Sequence, residues 1–168
     1  GIKHAQMSTT HSYTSDQNLL DNSHPKDMRR ARAAADNIVP TTTGAAIATT
    51  EVIPELKGKI SGISLRVPTS TVSVLYLVAE LNQAVTPEQV NELFKQASMN
   101  KFKGYLDFSN EPLVSSDYKG STFSSIVDGL STDVVDGTMV SVVAWYDNEW
   151  GYTQRLVNLT EYICGKLS

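Results

Sequence analysis

The chain has 168 residues, with 14 Lys and Arg against 18 Asp and Glu, for a net charge of −4 at neutral pH. That length suits one domain with an ordinary core. The mild acidity argues against a general binder of nucleic-acid backbones, and no apolar run approaches the 18 or more residues of a membrane helix. A single cysteine, Cys164, excludes a disulfide framework and a cysteine metal cluster, and a reducing cytoplasmic setting is the expectation.

Gly1 to Gln6 lead without an initiator Met into what reads as the approach to a strand, so a fragment is expected. Met7 to Tyr13, rich in Ser, Thr and His, predicts the strand, and Thr14 to Asn18 supply turn chemistry. Lys26, Arg29, Arg30 and Arg32 form a basic cluster in an ordered loop with a helical turn, broken at Pro40. Thr41-Thr42-Thr43-Gly44 precedes a helical stripe of Ile47, Val52, Ile53 and Leu56, an arrangement that can turn free N–H groups on an anion. Ile60 to Val67 and Thr71 to Leu81 predict two long adjacent strands separated by Pro68-Thr69-Ser70.

Thr86-Pro87-Glu88-Gln89 opens the clearest helix, with Val90, Leu93, Phe94 and Ala97 on one face. Strands are expected at Tyr105 to Phe108, Ser124 to Val127, Ser131 to Val135 and Met139 to Trp145, the last two joined by an Asp136-Gly137 hairpin turn. A helix from Trp150 to Lys166 closes the chain. Strands outnumber helices without alternating regularly, which predicts an α+β fold, a largely antiparallel mixed sheet covered by helices on one face. No G-x-G-x-x-G or P-loop pattern occurs, so these residues carry no nucleotide fold of their own.

His11, at a strand-to-loop junction, is either a hydrogen-bonded structural residue or a general base. Arg66, inside an apolar strand, needs a carboxylate or an anion to meet it. Three scattered His without ligand spacing predict no metal site. Cys164, on an apolar helix without a His or hydroxyl neighbour in sequence, reads as a buried, inert thiol.

Five segments in order, His11-Ser12-Tyr13-Thr14-Ser15-Asp16-Gln17, Arg29 to Ala35, Pro40 to Ala46, Leu65 to Thr69 and Trp145 to Tyr152, closely resemble the glyceraldehyde-3-phosphate dehydrogenase family, in its catalytic domain and C-terminal helix. The resemblance implies an NAD-dependent phosphorylating aldehyde dehydrogenase of glycolysis, acting on glyceraldehyde 3-phosphate and inorganic phosphate. It implies that His11 is the base that activates a nucleophilic thiol. Thr14 and Arg66 would hold the substrate phosphate, and Thr43 and Gly44 the inorganic phosphate. Asn148 would hydrogen-bond the nicotinamide carboxamide, with Tyr152 walling that pocket. Residues 1–149 would be the catalytic domain, and 150–168 a helix that packs on the nucleotide-binding half.

The family's Ser-Cys-Thr-Thr-Asn motif does not occur here, nor does its nucleotide-binding half, so this chain on its own is expected to be inactive and to hold NAD poorly. A homo-oligomer, dimer or tetramer, is expected, with no nucleic-acid or membrane partner. Two alternatives stand: the sister enzyme acting on erythrose 4-phosphate, and a non-catalytic module for assembly or binding.

Overall fold

The computed structural model describes residues 1–167. Its strands are β1 (Ile2–Ser12), β2 (Val39–Thr41), β3 (Ile60–Val67), β4 (Ser73–Leu81), β5 (Leu106–Ser109), β6 (Ser125–Val135) and β7 (Met139–Tyr146). They form one mixed sheet in the order β2-β3-β1-β4-β7-β6-β5. With α1 (Ala45–Val52), α2 (Pro87–Met99) and the C-terminal α3 (Trp150–Leu167), the architecture is the expected α+β class.

The strands β3 and β4 are not neighbours, contrary to the sequence expectation. β1 lies between them, parallel to β3 and antiparallel to β4. Stepping over one strand requires only about 10 Å, twice the interstrand spacing, which the link 68–72 spans. β1 earns the central place by alternation: Ala5, Met7 and Thr9 are buried on one face. Its register against β3 is pinned where Met7 faces Gly62, since a Cβ at 62 would run into Met7 Cγ and the Met7 carbonyl.

Two further differences have local causes. The helix expected to reach Leu56 stops at Val52 and gives way to a 3₁₀ turn at Pro54–Leu56, because proline has no N–H for the ladder. The two strands expected between Ser124 and Val135 are one strand, β6, whose register shifts between Asp128 and Asp133. The basic segment is a loop of hydrogen-bonded turns, as expected, strutted by Arg30, which pairs with Asp16 and with Asp27 and donates to Thr41 Oγ1 at 2.8 Å.

α2 forms as its sequence dictates. Thr86 Oγ1 accepts from Gln89 N, the Gln89 side chain accepts from Thr86 N, and Val90 and Phe94 pack on Val127, Val140 and Val142. Asp136 and Gly137 both take positive φ, 49° and 69°, as a two-residue hairpin turn requires.

Replacing Gly62 with Ala forces Met7 and the β1 backbone to shift. Gly62→Ala is expected to cost about 1–3 kcal/mol in urea unfolding, and an unchanged midpoint would mean that β1 and β3 can part there freely.

Candidate active site at the end of the first strand

The parallel register of β1 and β3 sets Arg66 directly beside His11. On the far side of β1, Ser73 of β4 pairs with Tyr146 of β7, and the Tyr146 ring meets His11 edge-on at 6.0 Å. His11 Nδ1 lies 2.7 Å from the Ser12 carbonyl oxygen. A carbonyl only accepts, so Nδ1 carries the hydrogen and Nε2 keeps a lone pair. Arg66 Nη1 donates to the same carbonyl at 3.2 Å and to Thr14 Oγ1 at 3.0 Å.

Arg66 Nε is buried without a partner, and among the described residues no carboxylate lies within 4 Å of the guanidinium. The salt bridge that would explain a cation in this strand is therefore not made. Such a charge is costly to bury until an anion meets it. Arg30, by contrast, is neutralised by Asp16 and Asp27.

Burial lowers the His11 pKa and nearby Arg66 adds to that, while the Ser12 carbonyl bond and Glu149 act in opposition. The imidazole is thus neutral at neutral pH and free to take a proton at Nε2. Burial and the charge of Arg30 also lower Arg66, against Asp16 and Tyr146. Tyr146 is pushed up by burial, in part offset by the Ser73 hydroxyl and Arg66.

His11, Tyr146, Asn148, Tyr152 and Arg155 line a cavity of about 360 Å³ between the sheet end and the first turns of α3. Asp147 fixes that junction. Its Oδ1 accepts from Trp150 N at 2.9 Å, Glu149 N at 3.0 Å and Thr71 Oγ1 at 3.1 Å, and its Oδ2 from Gly120 N at 2.9 Å. Gly151 comes so close to the Phe123 carbonyl that a Cβ would lie 2.8 Å from its oxygen. Asn148 follows Asp147, and its Oδ1 accepts from both Ser12 Oγ and Ser73 Oγ at 2.9 Å. Arg155 lies over the Tyr105 ring, 4.5 Å from its centroid, and donates to Ser124 Oγ and the Thr122 carbonyl.

The structure thus brings His11, Asn148 and Tyr152 into one cavity, with Arg66 joined to His11 through the Ser12 carbonyl and Thr14 held by Arg66. Thr43 and Gly44 are not among the residues around that cavity. Thr43 Oγ1 caps its own turn by accepting from Ala45 N at 3.1 Å. Gly44 begins α1 without a side-chain cap, in open space. The neighbouring Thr41 and Thr42 border a separate hollow of about 680 Å³ with Arg29 and Arg30.

Sequence reasoning missed Ser12, Ser73 and Arg155. A serine at a strand end carries no signal of what its hydroxyl will meet, and an arginine on a helix reads as surface.

The family model described as "Glyceraldehyde 3-phosphate dehydrogenase, C-terminal domain" matches residues 1–148. The chain is similar to the glyceraldehyde-3-phosphate dehydrogenase of Geobacillus stearothermophilus, 59% identical over 166 residues, covering 99% of this chain and 49% of the relative. It is also similar to glyceraldehyde-3-phosphate dehydrogenase 1 of Bacillus subtilis (strain 168), at 58% over 166 residues with the same coverage. Glyceraldehyde-3-phosphate dehydrogenase 2 of Synechocystis sp. is 56% identical over 163 residues, 97% of this chain and 48% of the relative. The chain spans about half the length of the curated relatives it matches.

Asp147 makes the junction sensitive to acid. Burial opposes its ionisation, but the N–H groups of Trp150, Gly120 and Glu149 and the Thr71 hydroxyl outweigh it, so its pKa lies below the ordinary value. A lowered native pKa gives stability that is complete above the unfolded value near 4 and lost as pH falls through the native one. The thermal unfolding midpoint should therefore fall as the pH drops below about 4. Asp147→Asn should cost about 1–3 kcal/mol at pH 7 and flatten that acid limb; a limb as steep as before would assign it to other carboxylates.

Proposed function

The chain belongs to the glyceraldehyde-3-phosphate dehydrogenase family through its C-terminal domain, and from that premise we propose that the His11 end of the sheet is the acid–base and phosphate-holding part of an NAD-dependent phosphorylating aldehyde dehydrogenase. The complete protein would oxidise glyceraldehyde 3-phosphate to an acyl phosphate in cytoplasmic glycolysis. The observation that carries this proposal is the half-buried, carboxylate-free guanidinium of Arg66 beside a neutral imidazole with an open Nε2.

Each group then has a task. His11 Nε2 takes the proton of the attacking thiol and exchanges protons with the substrate oxygen as the aldehyde is oxidised. Arg66 and Thr14 hold the substrate phosphate, where fixed positive charge in a partly desolvated site acts strongly on a dianion. Thr43 and Gly44 receive the inorganic phosphate that releases the acyl group. The thiol comes from outside these residues. Cys164, exposed on α3 rather than buried as its sequence suggested, does not supply it, because it stands 13 residues beyond Gly151, about 20 Å along the helix axis.

The cavity suits a nicotinamide. It has an amide side chain at Asn148 to meet a carboxamide, the rings of Tyr146 and Tyr152 as walls, and a volume of about 360 Å³. NAD, when bound, supplies the acceptor for the hydride. The nucleotide-binding half would lie against 150–168, and α3 leaves Leu156, Leu159 and Ile163 about half exposed for it. Residues 1–149 form the catalytic domain in this scheme.

The test uses the full-length polypeptide that carries these residues. His11→Asn is expected to lower kcat by about 10²–10⁴-fold. Arg66→Ala should cost on the order of 2–5 kcal/mol in kcat/KM for the phosphorylated aldehyde and far less for an unphosphorylated one. Equal losses on both substrates would make Arg66 structural. The 168 residues alone should give no phosphate-dependent NAD reduction, and turnover that Cys164→Ser abolishes would overturn the assignment of the thiol.

A homo-oligomer, dimer or tetramer, is part of the same proposal. Ile63 and Tyr76 flank Ser8 in one row of the sheet, on the face away from Val142, and are 42% and 47% exposed. Light scattering at micromolar concentration is expected to return a dimer or larger, and a monomer would remove the claim.

A further inference from the structure

Asn148 is gripped by two hydroxyls from two different strands. Ser12 Oγ, at the end of β1, and Ser73 Oγ, at the start of β4, both donate to Asn148 Oδ1. Ser12 is 0% and Ser73 2% exposed, so water does not compete for these hydrogens. Ser73 Oγ also accepts the Ser12 N–H at 3.1 Å, which ties the two serines to each other. On the opposite side, Asn148 Nδ2 lies 3.4 Å from Glu149 Oε1. Turning the amide over would press its oxygen against that carboxylate and leave the Ser12 hydroxyl hydrogen without its acceptor in a closed site.

The backbone beneath this grip is strained. Val72 has a φ of 69°, where a β-branched residue is rarely found, and it is held there by packing among Tyr118 and Ile126. The residues on either side of it reach consecutive residues of the turn: Thr71 Oγ1 donates to Asp147 and Ser73 Oγ to Asn148. The strain thus lies where the chain must present two hydroxyls to one turn.

We propose that Ser12 and Ser73 are positioning residues that lock the Asn148 amide with its oxygen toward the sheet and its NH₂ toward the cavity, so that this point of the pocket donates a hydrogen bond and selects a ligand carbonyl. The inference rests on the function proposed above, in which Asn148 faces the nicotinamide carboxamide. The carboxamide oxygen, rather than its nitrogen, is then the recognised atom.

The test measures dissociation constants by calorimetry on the full-length polypeptide with NAD and two analogues altered only on the pyridine ring. The 3-acetylpyridine dinucleotide keeps the carbonyl, and the 3-aminopyridine dinucleotide lacks it. The wild type is expected to prefer the two carbonyl ligands. The Ser12→Ala/Ser73→Ala variant should lose roughly three- to tenfold of that preference, with each single variant in between, and Asn148→Ala should abolish it. The KM for inorganic phosphate serves as the check against general collapse. A preference intact in the serine variants but lost in Asn148→Ala overturns the positioning role. A preference that Asn148→Ala leaves intact overturns the contact between Asn148 and the cofactor instead. Should the double variant not fold, the singles decide, and no shift in either also overturns the proposal.

Discussion

The register of β1 between a parallel and an antiparallel neighbour is the constraint on which the rest depends. Side chains on a strand alternate with period two, so a slip of one residue would send His11 to the opposite face from Arg66 and Tyr146. Apolar alternation and the Met7–Gly62 approach prevent that slip from within the strand body. The consequence appears at the strand's end, where one carbonyl, that of Ser12, accepts from both His11 Nδ1 and Arg66 Nη1. A single backbone oxygen thereby sets the tautomer of the imidazole and the position of the cation.

A second fixed point is the turn at Asp147. Its carboxylate collects donors from α3, from the 71–73 segment and from Gly120, so the helix start and the sheet end are held by one buried group. Desolvation alone would favour its neutral form, and only this number of donors makes the ionised form the stable one. Asn148 inherits its place from that anchorage. The strained Val72 belongs to the same arrangement, since it sits between Thr71 and Ser73, whose hydroxyls reach adjacent residues of the turn.

The two central arginines show how context divides one chemistry into two roles. Arg30 belongs to the most conspicuous basic cluster in the chain, yet its charge is consumed by Asp16 and Asp27 in bracing the 13–38 loop. Arg66 is a single cation in an apolar strand and keeps its charge unpaired. Neutralised charge builds structure, and unneutralised charge in a partly desolvated place attracts ligands.

Much was legible in the residues alone. The capping box at Thr86, the apolar face of α2, the Asp136-Gly137 turn and the β-branched strands are local matters of propensity and period, and each formed close to where the sequence placed it. The five ordered motifs pointed to the family, and Arg66 stood out as a cation at a costly position. Strand order was not legible, because nothing local tells β3 and β4 that β1 will come between them. Nor could the chain itself reveal that Ser12 and Ser73, 61 residues apart, would meet at one amide. Propensity and hydrophobic period act over a few residues and can be read in one dimension. Long-range pairing, burial of a hydroxyl and the presence or absence of a counter-charge exist only once distant strands share a sheet, so the tertiary structure alone decided them.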